Sequence, residues 1–477
     1  MIDPVGPSAD NQARTPWWSQ RTFLIVAVSI LTVVGVVSAV VSVGLRHNDY
    51  LWHYNLGRGA LVGGLYTTVD GVQLGYHYPV GRMLIDAIVA VLPYRVSRAV
   101  VWALAVALLA WSLWAWHGIA EKRLPVGRQA GVSGGLIAVL LMLPMVYRDL
   151  DDCGLQVLLL AMLTAAGYAL TRGRSLQCGI WLALAATYKT TPVLFLPYLL
   201  FKRRWKETVW AALFIAVFNV GLPTLIYGWS ATAVANGRFL GRIDEAIKLR
   251  DPSLNPIEPP KHQNYSLKLA MARYLMTFPP EHSLFIAAEG QKDGNQQLLV
   301  PVNDLRAAPG FMQFLNLTPE RANTVVTVLL VIFGGALAWQ FRRRLGDEQS
   351  EADLAPEWAV VTALCAILSP LCWTHHLVLL LPCLFLVCRA GLRFGNPWYR
   401  NALMWLAILL LWLPARELLG YQWTLVIKSY KGATLSTLIL IALTQTLPAS
   451  PYKALARVGR VDSALGTKAV GSLNSVP

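Results

Sequence analysis

The stretch FLIVAVSILTVVGVVSAVVSVGL, residues 23–45, contains no charged side chain. As a helix rising about 1.5 Å per residue it is roughly 35 Å long, enough to cross a hydrocarbon core about 30 Å thick. Comparable apolar segments follow near residues 98–117, 130–147, 154–171, 176–188, 191–201, 208–228, 323–341, 357–374, 375–390, 400–418 and 432–448. A soluble core offers no reason for such repetition, because soluble helices keep a polar face. The pattern predicts an all-α polytopic membrane protein with about 12 transmembrane helices.

Composition agrees. Of 477 residues 55% are hydrophobic and 14% charged, with mean hydropathy +0.48, whereas soluble chains carry about 25% charged residues. The net charge of +15 is not spread along one polar face as nucleic-acid binding requires; it falls in short clusters between the apolar runs. The clusters are Arg14 and Arg21, Lys122 with Arg123 and Arg128, Arg172 and Arg174, Lys202 through Lys206, Arg342 to Arg344, Arg389 with Arg393, and Lys453 with Arg457 and Arg460. All seven fit on the cytoplasmic side if residues 176–201 form a short hairpin with Lys189 and Pro192 at its tip. Six cysteines, none in a CxxC pair, read as free thiols. The first run lacks a small-residue cleavage site and reads as a retained anchor.

The expected organisation is therefore a cytoplasmic tail over residues 1–22, a membrane domain over 23–450 and a second cytoplasmic tail over 451–477. Two long loops, 46–97 and 229–322, face the other side. Within the first, residues 48–64 and 82–93 have the length of interfacial helices, with Asn48 as a cap. No internal repeat of the kind that builds many transporters is visible. Walker, GxGxxG, HExxH and GxSxG motifs are absent, so energy for any reaction arrives with the substrate.

In this topology His47, His53, His77, His262, His282, His375 and His376 gather at the non-cytoplasmic face, with Asp49, Asp149, Asp151 and Asp152. Asp49 is either a helix-start charge favoured by the dipole or a carboxylate that takes a proton from an acceptor hydroxyl. Lys189 sits in an apolar hairpin, where burying an ammonium costs about 2.5–3.5 kcal/mol; a lipid phosphate offsets that cost, and snorkelling to the far interface or pairing with a buried acid is the other account. His375-His376 lies between two apolar runs as an expected tight turn. Neighbouring side chains on a helix point about 100° apart, so the pair is a poor metal clamp and fits a phosphate or sugar hydroxyl better, or two interfacial histidines. Asn264-Tyr265-Ser266-Leu267 with Arg273 opens a helical pattern that as pattern alone is interfacial and amphipathic. Asp149, Asp151 and Asp152 are carboxylates with the capacity to bind a metal.

The chain resembles the polyprenyl-phosphate-sugar-dependent glycosyltransferases of the GT-C superfamily, specifically glycosyltransferase family 87. The marks are Asp49 with Tyr54, Gly64 and Tyr66; Tyr76-His77-Tyr78-Pro79; Lys189-Thr190-Thr191-Pro192 followed by Arg203-Arg204-Trp205; Asn264-Tyr265-Ser266-Leu267 with Arg273; and Ser369-Pro370 with Trp373-Thr374-His375-His376. Val80 and the run Gly154-Leu155-Gln156-Val157-Leu158 depart from the family's Tyr-Pro-Pro and Gly-Gln-x-Asn patterns. The resemblance implies a GT-C-type bundle and an inverting hexosyl transfer, mannose foremost, from a polyprenyl-phosphate sugar to a lipid or glycan acceptor. Asp49 is then the general base, while Lys189, His375, His376, Arg273, Asn264 and Tyr78 bind the donor phosphate or sugar. It implies no cofactor and no metal, membrane lipids but no nucleic acid as partners, and a bacterial plasma membrane with the site on the outer face. A lipid-linked sugar transporter or flippase, and a surface-polysaccharide polymerase or ligase, are the competing expectations.

Overall fold

The computed structural model describes residues 21–44, 49–66, 78–121, 123–126, 128–247, 264–276, 314–342, 348–414 and 430–447, with positions 419, 424, 427 and 428. Residues 1–20 of the first tail and the whole of the second lie outside these residues, as do His47, Asn48, His77, His262 and His282. Regular structure is helical throughout; the β contact among the described residues is an isolated bridge between Met276 and Leu317. Five helices are long and apolar enough to cross a membrane: Arg21–Val41, Tyr94–Ala120, Trp205–Tyr227, Pro319–Gln340 and Thr374–Phe394. A sixth candidate is a pair bent by 71°, Gln129–Leu141 with Leu143–Asp151. Four shorter apolar helices accompany them, Leu155–Thr171, Thr191–Phe201, Leu354–Ile367 and Gly432–Gln445. Several of the twelve expected segments are thus too short to span by length alone.

Two short helices come directly after the first membrane-length helix. Helix α2 (Asp49–Leu61) and α3 (Val80–Ala90) follow α1 (Arg21–Gly44) and stand where the sequence predicts interfacial helices. Pro79 starts α3 because its fixed φ and missing N–H suit the N-terminus of a helix. Then come α4 (Tyr94–Ala120), α5 (Arg128–Leu141), α6 (Leu143–Asp151) and α7 (Leu155–Thr171). The expected hairpin is α8 (Ser175–Tyr188), a 3₁₀ turn Thr191–Leu194 and α9 (Phe195–Phe201). Beyond it lie α10 (Trp205–Ala216), a π turn Val217–Gly221, α11 (Leu222–Tyr227), α12 (Trp229–Ile247) and α13 (Leu267–Leu275). The last part comprises α14 (Pro319–Gln340), α15 (Glu348–Ile367), a 3₁₀ segment Thr374–Leu380 running into α16 (Leu381–Phe394), α17 (Trp398–Trp412) and α18 (Gly432–Gln445).

Burial separates interior from periphery. The span Thr374–Phe394 is 78% buried, against 11% for Arg21–Val41 and 11% for Trp205–Tyr227. Hence α15 and α16 form the centre, packed round Trp358, whose indole donates to Leu163 O on α7. Leu225, Val331 and Trp339 point outward, as lipid-facing side chains do. At one end of the bundle the basic clusters are knitted into the protein. Lys202 pairs with Glu357 at 2.7 Å and donates to Phe341 O at the end of α14, while Arg400 donates to Leu443 O and Thr446 O at the end of α18. Arg389 reaches Leu124 O and Glu121. These cations satisfy the carbonyls that helix C-termini leave unpaired. His375 precedes Arg389 by fourteen residues, about 20 Å of helix, so the candidate residues occupy the opposite end.

Candidate active site

Three interruptions of the helices meet at that end. The first follows α6, where Asp152, Cys153 and Gly154 turn the chain into α7 with Cys153 and Gly154 both at positive φ. A Cβ on Gly154 would stand 2.2 Å from Ala105 Cβ, so both conformation and space require glycine there. The Asp149 carboxylate accepts from Gln156 N at 3.0 Å and Val157 N at 2.9 Å, capping α7. The second interruption is at Lys189, whose extended backbone (φ −150°, ψ 137°) ends α8. The third is Leu368 to Trp373, between α15 and the 3₁₀ segment.

Together with α2 these breaks enclose a cavity of about 600 Å³. Its polar lining includes Asp49, His53, Tyr78, Gln156, Lys189, His375 and His376; its apolar lining includes Val193, Leu194, Pro197, Ile243 and Leu368. Five of the seven residues singled out from the sequence therefore line one space. Asn264 is not among them: its Nδ2 donates to Pro370 O (2.9 Å) and its Oδ1 accepts from Cys372 N (3.0 Å), so it secures the loop that forms the wall. Ser266 caps α13 by accepting from Leu269 N. Arg273, fully buried on α13, has its guanidinium near the rings of Tyr274 and Tyr430 and does not line the cavity.

Asp49 opens α2 and is exposed to the cavity. The helix is pinned by Tyr54 OH donating to Leu92 O (2.9 Å) and by Tyr50 against Ser97 and Tyr94. Lys189 Nζ donates to Gln156 Oε1 at 3.3 Å, its one hydrogen bond among the described residues. Much of its hydrogen-bonding capacity is thus left for a ligand. His376 is fixed by its turn, with Nδ1 3.1 Å from Trp373 N and 3.0 Å from Leu371 O. His375 stands 3.6 Å from Asp152 Oδ2.

The three aspartates of the α6 end do not converge on a common point. Asp149 caps α7, Asp151 pairs with Arg148 (3.0 Å), and Asp152 turns toward Asp49 and His375. Ligand atoms of Asp49, Asp152 and His375 lie within 4.8 Å of one another, so this trio, rather than Asp149, Asp151 and Asp152, has the geometry to hold a cation. Burial pushes the Asp152 carboxyl up to about 7; Arg148 opposes this, and the neighbouring charges of Asp49 and Asp151 reinforce it.

Spacing gave no signal for several lining residues. Trp52, Gln156, Arg242 and Trp373 belong to the cavity wall; of these Trp373 and Gln156 entered the reading only through the family resemblance, Gln156 as part of a departure from its pattern. A buried network behind the wall joins Arg82, Asp86 and His53.

A cavity lined by both polar and apolar side chains, at one end of a helical bundle, has room for the polar head and the apolar chain of a lipid. Residues 76–278 match the model of glycosyltransferase family 87. This is a GT-C type family, in line with the resemblance read from the sequence, and the family 87 match supports a glycosyltransferase with membrane helices. It spans less than half of the chain: Tyr78, Lys189, Asn264 and Arg273 lie within it, Asp49, His375 and His376 outside. No curated protein and no solved structure matches the chain.

Proposed function

We propose that the protein is an inverting hexosyltransferase that moves a sugar, mannose foremost, from a polyprenyl-phosphate donor to a hydroxyl of a lipid or glycan acceptor. The observation that carries this reading is that Asp49 and Lys189 line one cavity together with apolar side chains such as Val193, Leu194 and Pro197. The polyprenyl chain lies along Val193, Leu194 and Pro197, and its phosphate meets the Lys189 ammonium. His375 and His376 face the donor phosphate or sugar, and Tyr78 contributes to the sugar site. Asp49 takes the proton from the acceptor hydroxyl as its oxygen attacks the anomeric carbon. The bond from that carbon to the phosphate oxygen breaks, and its electron pair leaves on the polyprenyl phosphate. Charge grows on that phosphate as the bond opens, so a fixed ammonium beside it stabilises the transition state more than the ground state. One displacement inverts configuration. Asn264 acts from behind, by shaping the loop round Pro370 and Cys372.

In this reading Asp49 is free to act as a base and no metal or cofactor takes part. The chain makes about twelve passes of a bacterial plasma membrane, with the basic end cytoplasmic and the cavity on the outer side. A transporter would need a site reachable from both sides, and this cavity lies at one end of the bundle.

The test is transfer of radiolabelled mannose from polyprenyl-phosphate mannose to a lipid extract by purified wild type and Asp49→Asn. Removing a general base lowers turnover about 10²–10⁴-fold. Transfer by wild type and none by the mutant supports the reading. An Asp49→Asn enzyme as fast as wild type removes Asp49 from the mechanism, and no transfer from any of a panel of lipid-linked sugars sinks the enzyme reading.

A further inference from the structure

Lys189 owes its place to a backbone break, and a break needs something to hold it. Where α8 stops at Tyr188, the Tyr188 carbonyl accepts from Arg82 Nη1 at 2.9 Å. The same guanidinium stacks 3.5 Å over the Tyr188 ring, so Arg82 grips the residue before Lys189 by both backbone and side chain. On its other edge Arg82 Nε donates to Asp86 Oδ1 at 2.7 Å, and Asp86 Oδ2 lies 3.1 Å from His53 Nδ1. His53 is one turn along α2 from Asp49 and lines the cavity. Arg82 itself is buried and lies outside the cavity wall.

We infer that Arg82 is a positioning residue, which through Tyr188 sets the Lys189 ammonium in the cavity and through Asp86 and His53 ties it to the helix that carries Asp49. The inference rests on Lys189 as the phosphate contact of the function proposed above. A planar guanidinium with donors on several edges can hold a carbonyl and a carboxylate at once in fixed geometry; a lysine ammonium, a point charge on a flexible stem, cannot reproduce that fork. The charge of Asp86 balances that of Arg82, so the network costs little while intact. It spans three elements, α2, α3 and the end of α8, and its Arg82–Tyr188 bond alone joins positions 106 residues apart.

The test is binding of farnesyl phosphate to the full chain in detergent, read from the fluorescence of the cavity tryptophans, for wild type, Lys189→Met, Arg82→Lys and the double variant. Lys189→Met and Arg82→Lys are each expected to weaken binding roughly tenfold or more. The double variant is expected to be no weaker than Lys189→Met alone, because two residues acting through one contact are not additive. A double variant weaker by the product of the single effects overturns the inference, as does Arg82→Lys binding like wild type or a wild type that does not bind farnesyl phosphate. If Arg82→Lys does not fold, Asp86→Asn, which frees one edge of the guanidinium, is expected to give the same non-additive pattern, and additivity there overturns the inference equally. Binding does not require sugar transfer: an intact pattern with no transfer refutes the transferase reading and leaves the role of Arg82 standing.

Discussion

Asp152→Asn is expected to make the protein more stable and less active. Asp152 is 1% exposed, its Oδ2 has no hydrogen-bond partner, and the nearest cation, Arg148, is 3.9 Å away with Asp151 competing for it. Burial accordingly lifts the carboxyl from its ordinary 3.8 to about 7. Between these values the unfolded chain has released the proton and the folded chain still holds it. The folded state then binds more protons, so stability falls as pH rises through the window and the whole penalty is present above pH 7. A shift of that size corresponds to a penalty on the order of 4 kcal/mol. Asparagine keeps an oxygen to accept from the Asp49 N–H, a contact the carboxylate makes, and carries no charge to desolvate. Thermal unfolding in detergent, followed by tryptophan fluorescence at pH 5 and pH 8, checks this. The variant should melt higher at pH 8, with the gap narrowing toward pH 5. A variant less stable than wild type at both values would mean that the carboxylate is well paired, and the burial argument fails. Mannosyl transfer should drop in the same variant, because a buried, weakly compensated charge beside the proposed base is the kind of feature function retains against stability.

Gly57→Ala would set a methyl carbon 2.4 Å from the Asp86 carbonyl oxygen. Either α2 moves off α3, taking Asp49 with it, or the chain strains by about 1–3 kcal/mol; lower melting with at least a matching loss of turnover is expected, and wild-type activity would show that the α2–α3 spacing does not set the site. Lys202→Met takes the paired cation from the buried Glu357, which keeps the Tyr198 hydroxyl, at a cost of about 3–5 kcal/mol. Adding Glu357→Gln should restore most of the loss, a recovery that paired melting curves measure. Treatment with a chelator should leave transfer unchanged, since Asp49 serves as base; loss of transfer restored by a divalent cation would instead assign Asp49, Asp152 and His375 to a metal.

The two short helices after α1 and the hairpin were legible because each has a local cause, Pro79 before α3 and Pro192 after the break, whereas the Ser266 cap was not singled out. The bend of 71° at Met142 was not, since an apolar run reads the same whether straight or broken, and Pro144 sits where either a kink or a helix start admits it. Likewise α15 begins at Glu348, nine residues before the predicted 357, because hydropathy cuts away the polar turns of a helix that continues past the apolar run. Among the site residues Asp49, Lys189 and His375 stood out as charges or histidines against apolar flanks. Arg82 and Asp86 did not, for an Arg and an Asp four residues apart on a short helix look like a surface pair. What makes them matter is a carbonyl 106 residues away, and no spacing rule carries that.

The cavity's location follows from the cost of irregular backbone in an apolar medium. An unpaired N–H or C=O facing lipid costs several kcal/mol, so a membrane helix can stop short only where protein or a polar space satisfies the freed groups. The break at Lys189 exposes the Tyr188 carbonyl, and Arg82 takes it; the break at Leu368–Trp373 exposes Pro370 O and Cys372 N, and Asn264 takes both. The break before α7 exposes Gln156 N and Val157 N, and Asp149 takes both. Each of these satisfying groups stands behind the wall, which leaves the side chains of the broken segments, Lys189, Gln156, His375 and His376, to face the cavity. The fold therefore obtains its polar site from the interruptions themselves. Substituting a satisfying residue, Asn264→Ala or Asp149→Ala, should disturb the wall as much as removing a residue that lines it, through stability as well as turnover.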